Sequence, residues 1–308
     1  MTRGAAFDCG TNSLRVLVAD LDPGAGTEHE VLREMRIVRL GEGVDRSGRI
    51  STAAMERVLA AVDDFAAMVR DAGASAVRFC ATSAARDAAN AADFMAGVRD
   101  RVGVEPQVLD GLAEARTSYA GATRSLPEAP SPRLVVDIGG GSTELILGDA
   151  DGVVVAEQSL DIGSVRLTER HLHDDPPTDG QVAALVADVD AMLDGCRVAV
   201  GDARTVVGVA GTVTTVAAGV LGLAAYDRDA IHHATLATRD VVATGRELVA
   251  MPVAARRELG YLHPGRADVI AAGALILERV LCRTTPDTRL VSEHDILDGI
   301  AWSLAQDH

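Results

Sequence analysis

The segment from Ala5 to Asp20 (AAFDCGTNSLRVLVAD) divides into two apolar runs around the polar tetrapeptide Gly10-Thr11-Asn12-Ser13. This pattern predicts two short β-strands joined by a polar elbow, with a further turn at Asp22-Pro23-Gly24. Helical periodicity follows from Ser51 to Ala72 behind a Ser-Thr cap. A short strand is predicted at Ala76 to Ala81, running into Thr82-Ser83 and Arg86-Asp87, and a second helix at Ala91 to Val102.

The stretch Ser125 to Pro132 (SLPEAPSP) carries three prolines, which stop helix and strand alike. A domain boundary is expected there, giving a first domain over 1–126 and a second over 127–308. A C-terminal helix at about 297–308 is a candidate to pack back on the first domain. Directly after the boundary, Leu134 to Asp149 (LVVDIGGGSTELILGD) repeats the opening pattern of apolar strand, aspartate, glycine-rich turn with hydroxyls, and second strand. Asp8 and Asp137 stand about one domain length apart, so the halves read as a duplication. The rest alternates as α/β proteins do: helix at Asp179 to Leu193, strand at Thr205 to Val209, a turn at Gly211, and helix from Val213. Two more helices, Pro252 to Leu259 and Ala267 to Leu281, flank His263-Pro264-Gly265-Arg266.

With 308 residues, 48% of them hydrophobic, the chain can bury a large core, and two domains are expected. Cys9, Cys80, Cys196 and Cys282 have neither disulfide-framework nor zinc-ligand spacing and read as reduced thiols. The N-terminus reaches Asp8 too soon for a secretory h-region, and glycines break the long uncharged run Thr205 to Tyr226, so a cytoplasmic protein with no membrane span is expected. The net charge of −16 opposes adhesion to nucleic acid and anionic lipid. All 29 basic residues are arginine. A Walker A loop and Schiff-base catalysis are thereby excluded, while the planar guanidinium suits phosphate.

Candidate chemistry centres on Asp137-Ile138-Gly139-Gly140-Gly141-Ser142-Thr143-Glu144. Three consecutive glycines let backbone N–H groups gather into a concavity for phosphate. Asp137 and Glu144 would repel bare phosphate, which makes sense if a hard divalent cation lies between them and a phosphate oxygen. The loop Asp8 to Ser13, with Gly10, Thr11, Asn12 and Ser13 as phosphate contacts and Asp8 as a further metal ligand, gains force from being the duplicate. Two such loops facing each other across a cleft would grip a phosphate chain. Gly211 and Thr212, between a strand and a helix, suit an anion or a nucleotide edge, or form a tight turn with no ligand.

These motifs resemble the exopolyphosphatase and guanosine pentaphosphate phosphohydrolase (Ppx/GppA) family over nearly the whole chain. Asp8 to Arg15 is similar to its first phosphate loop, Ala81 to Asn90 to its arginine-bearing connector, and Asp137 to Glu144 to its second loop. Asp110 to Ala115, Asp161 to Leu167, Gly265 to Ile270 and Val291-Ser292-Glu293 match in order. Among its members the chain resembles the short, two-domain actinobacterial exopolyphosphatases. The resemblance implies an α/β architecture of two RNase H-like domains of the actin-like ATPase superfold, facing each other across a cleft. It implies Glu114 as general base, Asp137 and Glu144 in metal and water placement, Mg2+ or Mn2+ as cofactor, and Arg86 and Arg266 on the phosphate chain. Either arginine could instead be a structural ion pair, and Glu114 by itself would be an ordinary surface helix residue. The chain departs from the family at Asp110-Gly111, where one of two adjacent glutamates is missing, and at His294-Asp295, where glycine is usual.

The function expected is Mg-dependent removal of terminal phosphate from inorganic polyphosphate, with guanosine pentaphosphate as a further substrate and a homodimer as the assembly. The alternatives are an ATP-hydrolysing relative of the same superfold and a non-catalytic regulator that binds alarmone or polyphosphate.

Overall fold

The computed structural model describes residues 2–306 except 127 and 150. Met1–Gly121 with Ile296–His308 forms one compact unit and Ala122–Asp295 a second. The division falls near the end of the helix Gly111–Arg124, ahead of the proline-rich stretch.

In the first unit a five-stranded sheet has the order β3-β2-β1-β4-β5. Its strands are β1 (Thr2–Cys9), β2 (Ser13–Asp22), β3 (Thr27–Ile37), β4 (Ala76–Ala81) and β5 (Gln107–Val108). The first three form an antiparallel meander, and β4 and β5 add in parallel beyond β1. Alternation along the strands buries both faces. Phe7, Val16, Val18 and Phe79 pack under the helices Thr52–Asp71 and Ala91–Val102 through Val58, Val62, Phe65, Phe94 and Val98. On the other face Ala6, Leu17, Ala19 and Cys80 meet Ile296, Leu297, Ile300, Ala301 and Trp302 of the C-terminal helix Ile296–Gln306. That helix lies so close to its neighbour that a Cβ on Gly299 would fall 2.0 Å from the Thr117 carbonyl oxygen. Ser51 caps the helix Thr52–Asp71 by accepting from the Ala54 N–H.

The second unit holds a six-stranded sheet, read from its far edge as β8-β7-β6-β9-β11-β10. Here β6 is Arg133–Ile138, β7 Thr143–Gly148, β8 Val154–Leu160, β9 Thr205–Val209, β10 Thr235–Ala237 and β11 Thr288–Val291. An antiparallel meander β6-β7-β8 is again followed by a parallel strand, β9, beside the first. Both units are therefore RNase H-like, as the family resemblance implies. The apolar helix Ile270–Leu281, buried along nearly its whole length, fills the second core.

Several elements differ from the sequence reading. Strands β3 and β8 complete each meander and are absent from it, because charged residues and exposed edge positions hide their alternation. The helix expected from Val213 begins at Ala210, so Gly211 and Thr212 sit in its first turn. The helix expected from Ala267 begins at Ile270, after a 3₁₀ turn over Pro264–Arg266 capped by His263. Among the described residues no helix is long and apolar enough to cross a membrane.

Candidate active site

Both glycine-containing elbows close in the same way. In the first, the Gly10 N–H donates to the Ser13 carbonyl at 2.9 Å; in the second, the Gly139 N–H donates to the Ser142 carbonyl at 3.0 Å. The duplication thus extends to a single hydrogen bond. None of Gly10, Gly139, Gly140 and Gly141 has a left-handed backbone, and a Cβ on Gly139 would stand 3.1 Å from the Ser142 carbonyl oxygen.

In the first unit Asp8 is the penultimate residue of β1 and is paired in register with Arg15 on β2. Arg15 Nη2 lies 2.6 Å from Asp8 Oδ2, and Nε donates to the same oxygen. Thr11 is 7% exposed, and its Oγ1 is buried with no hydrogen-bond partner in the protein. The Asn12 Oδ1 is likewise buried and unsatisfied. Such groups are uncommon in native proteins and call for a bound group or water. Residues 38–41 strap this elbow: Val38 and Arg39 N–H both donate to the Asn12 carbonyl, and Gly41 N–H to that of Thr11, each at 2.9 Å. Arg86, on the short helix Ser83–Asp87, donates through Nη1 to the Leu109 carbonyl and to Glu114 Oε2, both at 2.9 Å. Glu114 lies in the first turn of its helix and is buried. The arginine and the glutamate expected at the site therefore form one ion pair.

In the second unit Asp137 and Glu144 are directly opposed residues of the antiparallel pair β6 and β7. Directly opposed residues point to the same face, so two carboxylates, 6% and 1% exposed, share one buried surface. Glu144 Oε1 accepts from Ser159 Oγ at 2.7 Å. Like charges so placed are destabilising unless a cation joins them. The pair therefore fits a hard divalent ion, which binds through one or two carboxylates and completes its shell with water and phosphate oxygens. No three His, Cys, Asp or Glu side chains converge as a metal centre among the described residues. Asp8 lies in the first unit, in its ion pair with Arg15.

The second elbow is pinned from behind by the segment 163–166. Ser164 N–H donates to the Gly139 carbonyl, Val165 and Arg166 N–H to that of Gly140, and Arg166 Nε to that of Gly141. A Cβ on Gly163 would stand 2.4 Å from the Gly140 oxygen, so only glycine permits this contact. With its carbonyls held, the loop keeps the Gly140 and Gly141 N–H groups without a protein acceptor among the described residues. Ser142 and Thr143 follow, both buried, and Thr143 Oγ1 donates to the Ile162 carbonyl at 2.7 Å. The motif Asp161 to Leu167, matched above without a role, thus contains the backing of the second elbow.

Gly211 and Arg266, far apart in sequence, are brought together. A Cβ on Gly211 would coincide with the guanidinium, 0.8 Å from Arg266 Nη1. Ala210, just before, has φ 63°, a left-handed conformation that costs a non-glycine residue about 1–2 kcal/mol. Thr212 is buried beneath, where a Cβ on Gly273 would meet its Oγ1 at 2.5 Å.

Sequence reasoning missed Tyr226, whose hydroxyl donates to Glu293 Oε1 at 2.6 Å. Burial and the neighbouring Glu293 carboxylate both push its phenol well above the ordinary range. At the unusual His294-Asp295, the Ser292 hydroxyl closes the turn by accepting from His294 N–H and donating to its carbonyl. The His294 ring lies 4.6 Å from that of His232, which stacks at 3.7 Å on His233.

Comparison with known proteins identifies the family. The family model described as the Ppx/GppA phosphatase family matches residues 17–308. Exopolyphosphatase 2 of Mycobacterium tuberculosis is 45% identical, covering 99% of each chain. A crystal structure of an exopolyphosphatase-like protein superposes with a TM-score of 0.95 at 40% identity, again over 99% of each chain. The Aquifex aeolicus member of the Ppx/GppA family superposes with a TM-score of 0.82 at 29% identity, over 100% of this chain and 99% of that one.

Proposed function

Because this chain belongs to the Ppx/GppA phosphatase family, we propose that it is an exopolyphosphatase that releases terminal phosphate from inorganic polyphosphate with a divalent cation, Mg2+ or Mn2+. The observation that carries the reading is the buried Asp137–Glu144 pair at the base of a glycine loop with unsatisfied N–H groups. An acid pair beside an anion nest is suited to phosphate and cation together, and to neither alone.

In this reading Glu114 accepts the proton of the attacking water, and Arg86 holds its carboxylate in place. In the second unit the Gly140 and Gly141 N–H groups, with Ser142, and in the first unit the Thr11 hydroxyl, with the rest of its elbow, are each suited to phosphate oxygens. Arg266, seated on Gly211, holds the chain of phosphates electrostatically. Asp137 and Glu144 would hold the cation, which when bound supplies charge neutralisation on the phosphate. Guanosine pentaphosphate is the second substrate proposed, since it presents the same terminal phosphoanhydride.

The test is phosphate release from polyphosphate, guanosine pentaphosphate and ATP, measured side by side with Mg2+ and with EDTA. Release from polyphosphate that EDTA abolishes is expected. Turnover of ATP alone would overturn the substrate assignment, and full activity in metal-free buffer would overturn the role of the acid pair.

A further inference from the structure

We propose that Gly41 is a positioning residue whose missing side chain fixes the orientation of the Thr11 hydroxyl in the first elbow; the inference rests on the reading of that elbow as a phosphate loop. A Cβ built on Gly41 would lie 2.3 Å from Thr11 Cγ2, 3.3 Å from Thr11 Cβ and 3.2 Å from the Ala84 Cβ. Gly41 is buried and its backbone is not left-handed, so the position needs glycine for space alone. The Thr11 methyl group fills that space. A threonine whose methyl is locked in one notch has its hydroxyl direction fixed too, since χ1 has only three staggered wells.

The hydroxyl so directed is Thr11 Oγ1, buried and without a protein partner. Nothing in the notch can yield easily. The strap bearing Gly41 is tied to the elbow by the hydrogen bonds from Val38, Arg39 and Gly41 to the Asn12 and Thr11 carbonyls. On its outer side Arg57 fastens it, with Nε donating to the Val38 carbonyl at 2.5 Å and Nη2 to the Arg39 carbonyl and to Glu42. The third wall, Ala84, belongs to the helix that carries Arg86. An added methyl at 41 must therefore be relieved by rotation of Thr11, which swings its hydroxyl out of place.

The experiment compares Gly41→Ala, Thr11→Val, Thr11→Ser and the double variant Gly41→Ala with Thr11→Ser, reading KM and kcat for polyphosphate and the melting temperature of each. Thr11→Val keeps the shape and loses the hydroxyl, and KM should rise about tenfold or more, the scale of one hydrogen bond to a charged group. Gly41→Ala should raise KM to the same extent. Thr11→Ser keeps the hydroxyl but has no methyl to seat in the notch, so alone it should raise KM by less than Thr11→Val does, and in the double variant, where nothing clashes, KM should fall well below that of Gly41→Ala. A double variant that regains its melting temperature but keeps the raised KM would overturn the inference while leaving the phosphate-loop reading intact. Thr11→Val with unaltered KM would instead overturn the phosphate-loop reading, and the inference with it. Should Gly41→Ala alone not fold, the double variant still decides: folded with low KM supports the proposal, and unfolded or folded with high KM rejects it.

Discussion

Arg86 donates through one guanidinium nitrogen to the Glu114 carboxylate and to the Leu109 carbonyl, so the proposed base is anchored to the end of the first sheet. The family resemblance also puts Arg86 on the phosphate chain; with both tasks, on substrate and on base, its loss should show in two kinetic constants. Arg86→Ala is expected to lower kcat as well as raise KM, with kcat/KM reduced about 10–100-fold, the range of a charge-assisted hydrogen bond. A change in KM alone, measured on polyphosphate, would mean that the pair does not orient the base.

Glu114→Gln keeps size and most hydrogen bonds but cannot accept a proton. Its kcat should fall on the order of 10²–10⁴-fold with KM little changed, because general-base catalysis acts in the transition state. Turnover within about twofold of wild type would reduce Glu114 to an ion-pair residue.

The opposed acids Asp137 and Glu144 should leave a thermodynamic signature apart from activity. Removing one of two facing like charges by Asp137→Asn or Glu144→Gln relieves repulsion in metal-free protein. The variants should melt no lower than wild type in EDTA and should lose the rise in melting temperature that millimolar Mg2+ gives the wild type, since a ligand stabilises only the state that binds it. Calorimetry with and without Mg2+ is the check, and an undiminished Mg2+ shift in both variants would exclude the pair as the site.

Gly211 and Arg266 form a steric pair in which the glycine makes room for the guanidinium. Gly211→Ala should evict a flexible side-chain end rather than disrupt backbone, and so reproduce the KM increase of Arg266→Ala. In a double-mutant cycle the two changes should be strongly non-additive. Additive effects would show that Arg266 binds substrate from another position.

These expectations trace how much of the site could be read in the chain. The elbows at Gly10 and Gly139 were legible because glycine, hydroxyls and aspartate between apolar runs form a local signal. Arg86 meeting Glu114, Arg266 seated on Gly211 and Gly41 against Thr11 were not, because each pairs residues on separate elements whose approach depends on sheet order. Strands β3 and β8 escaped notice for another reason: at the sheet edges β3 is crowded with charged side chains and β8 is half-buried at nearly every position, so neither shows the alternation of a half-buried strand. The helix Gly111–Arg124 runs up to the proline-rich stretch, so the prolines mark where the helix stops, while the compact units divide within it.

His233 combines a left-handed φ of 64° with a buried, unsatisfied Nε2. Burial, and then the charge of nearby His294, lower its pKa below the ordinary imidazole value. The unfolded chain then binds more protons as pH falls through the ordinary value of about 6.5, so stability is expected to drop below that pH. His233→Asn, which cannot titrate and tolerates the left-handed region, should flatten melting temperature against pH between 5 and 7. An unchanged slope would assign the effect to other groups.

The return of the C-terminal helix to the first sheet has a consequence for the order of events during synthesis. Ala6, Leu17 and Ala19 are made before the residues of 122–295, and the residues that cover them, Ile296 to Ala305, after. A nascent chain therefore carries that face of the sheet uncovered while the whole of 122–295 is being made. The first unit cannot close its second core until the residues of the other unit have been made, which runs against the usual N-to-C sequence of domain folding.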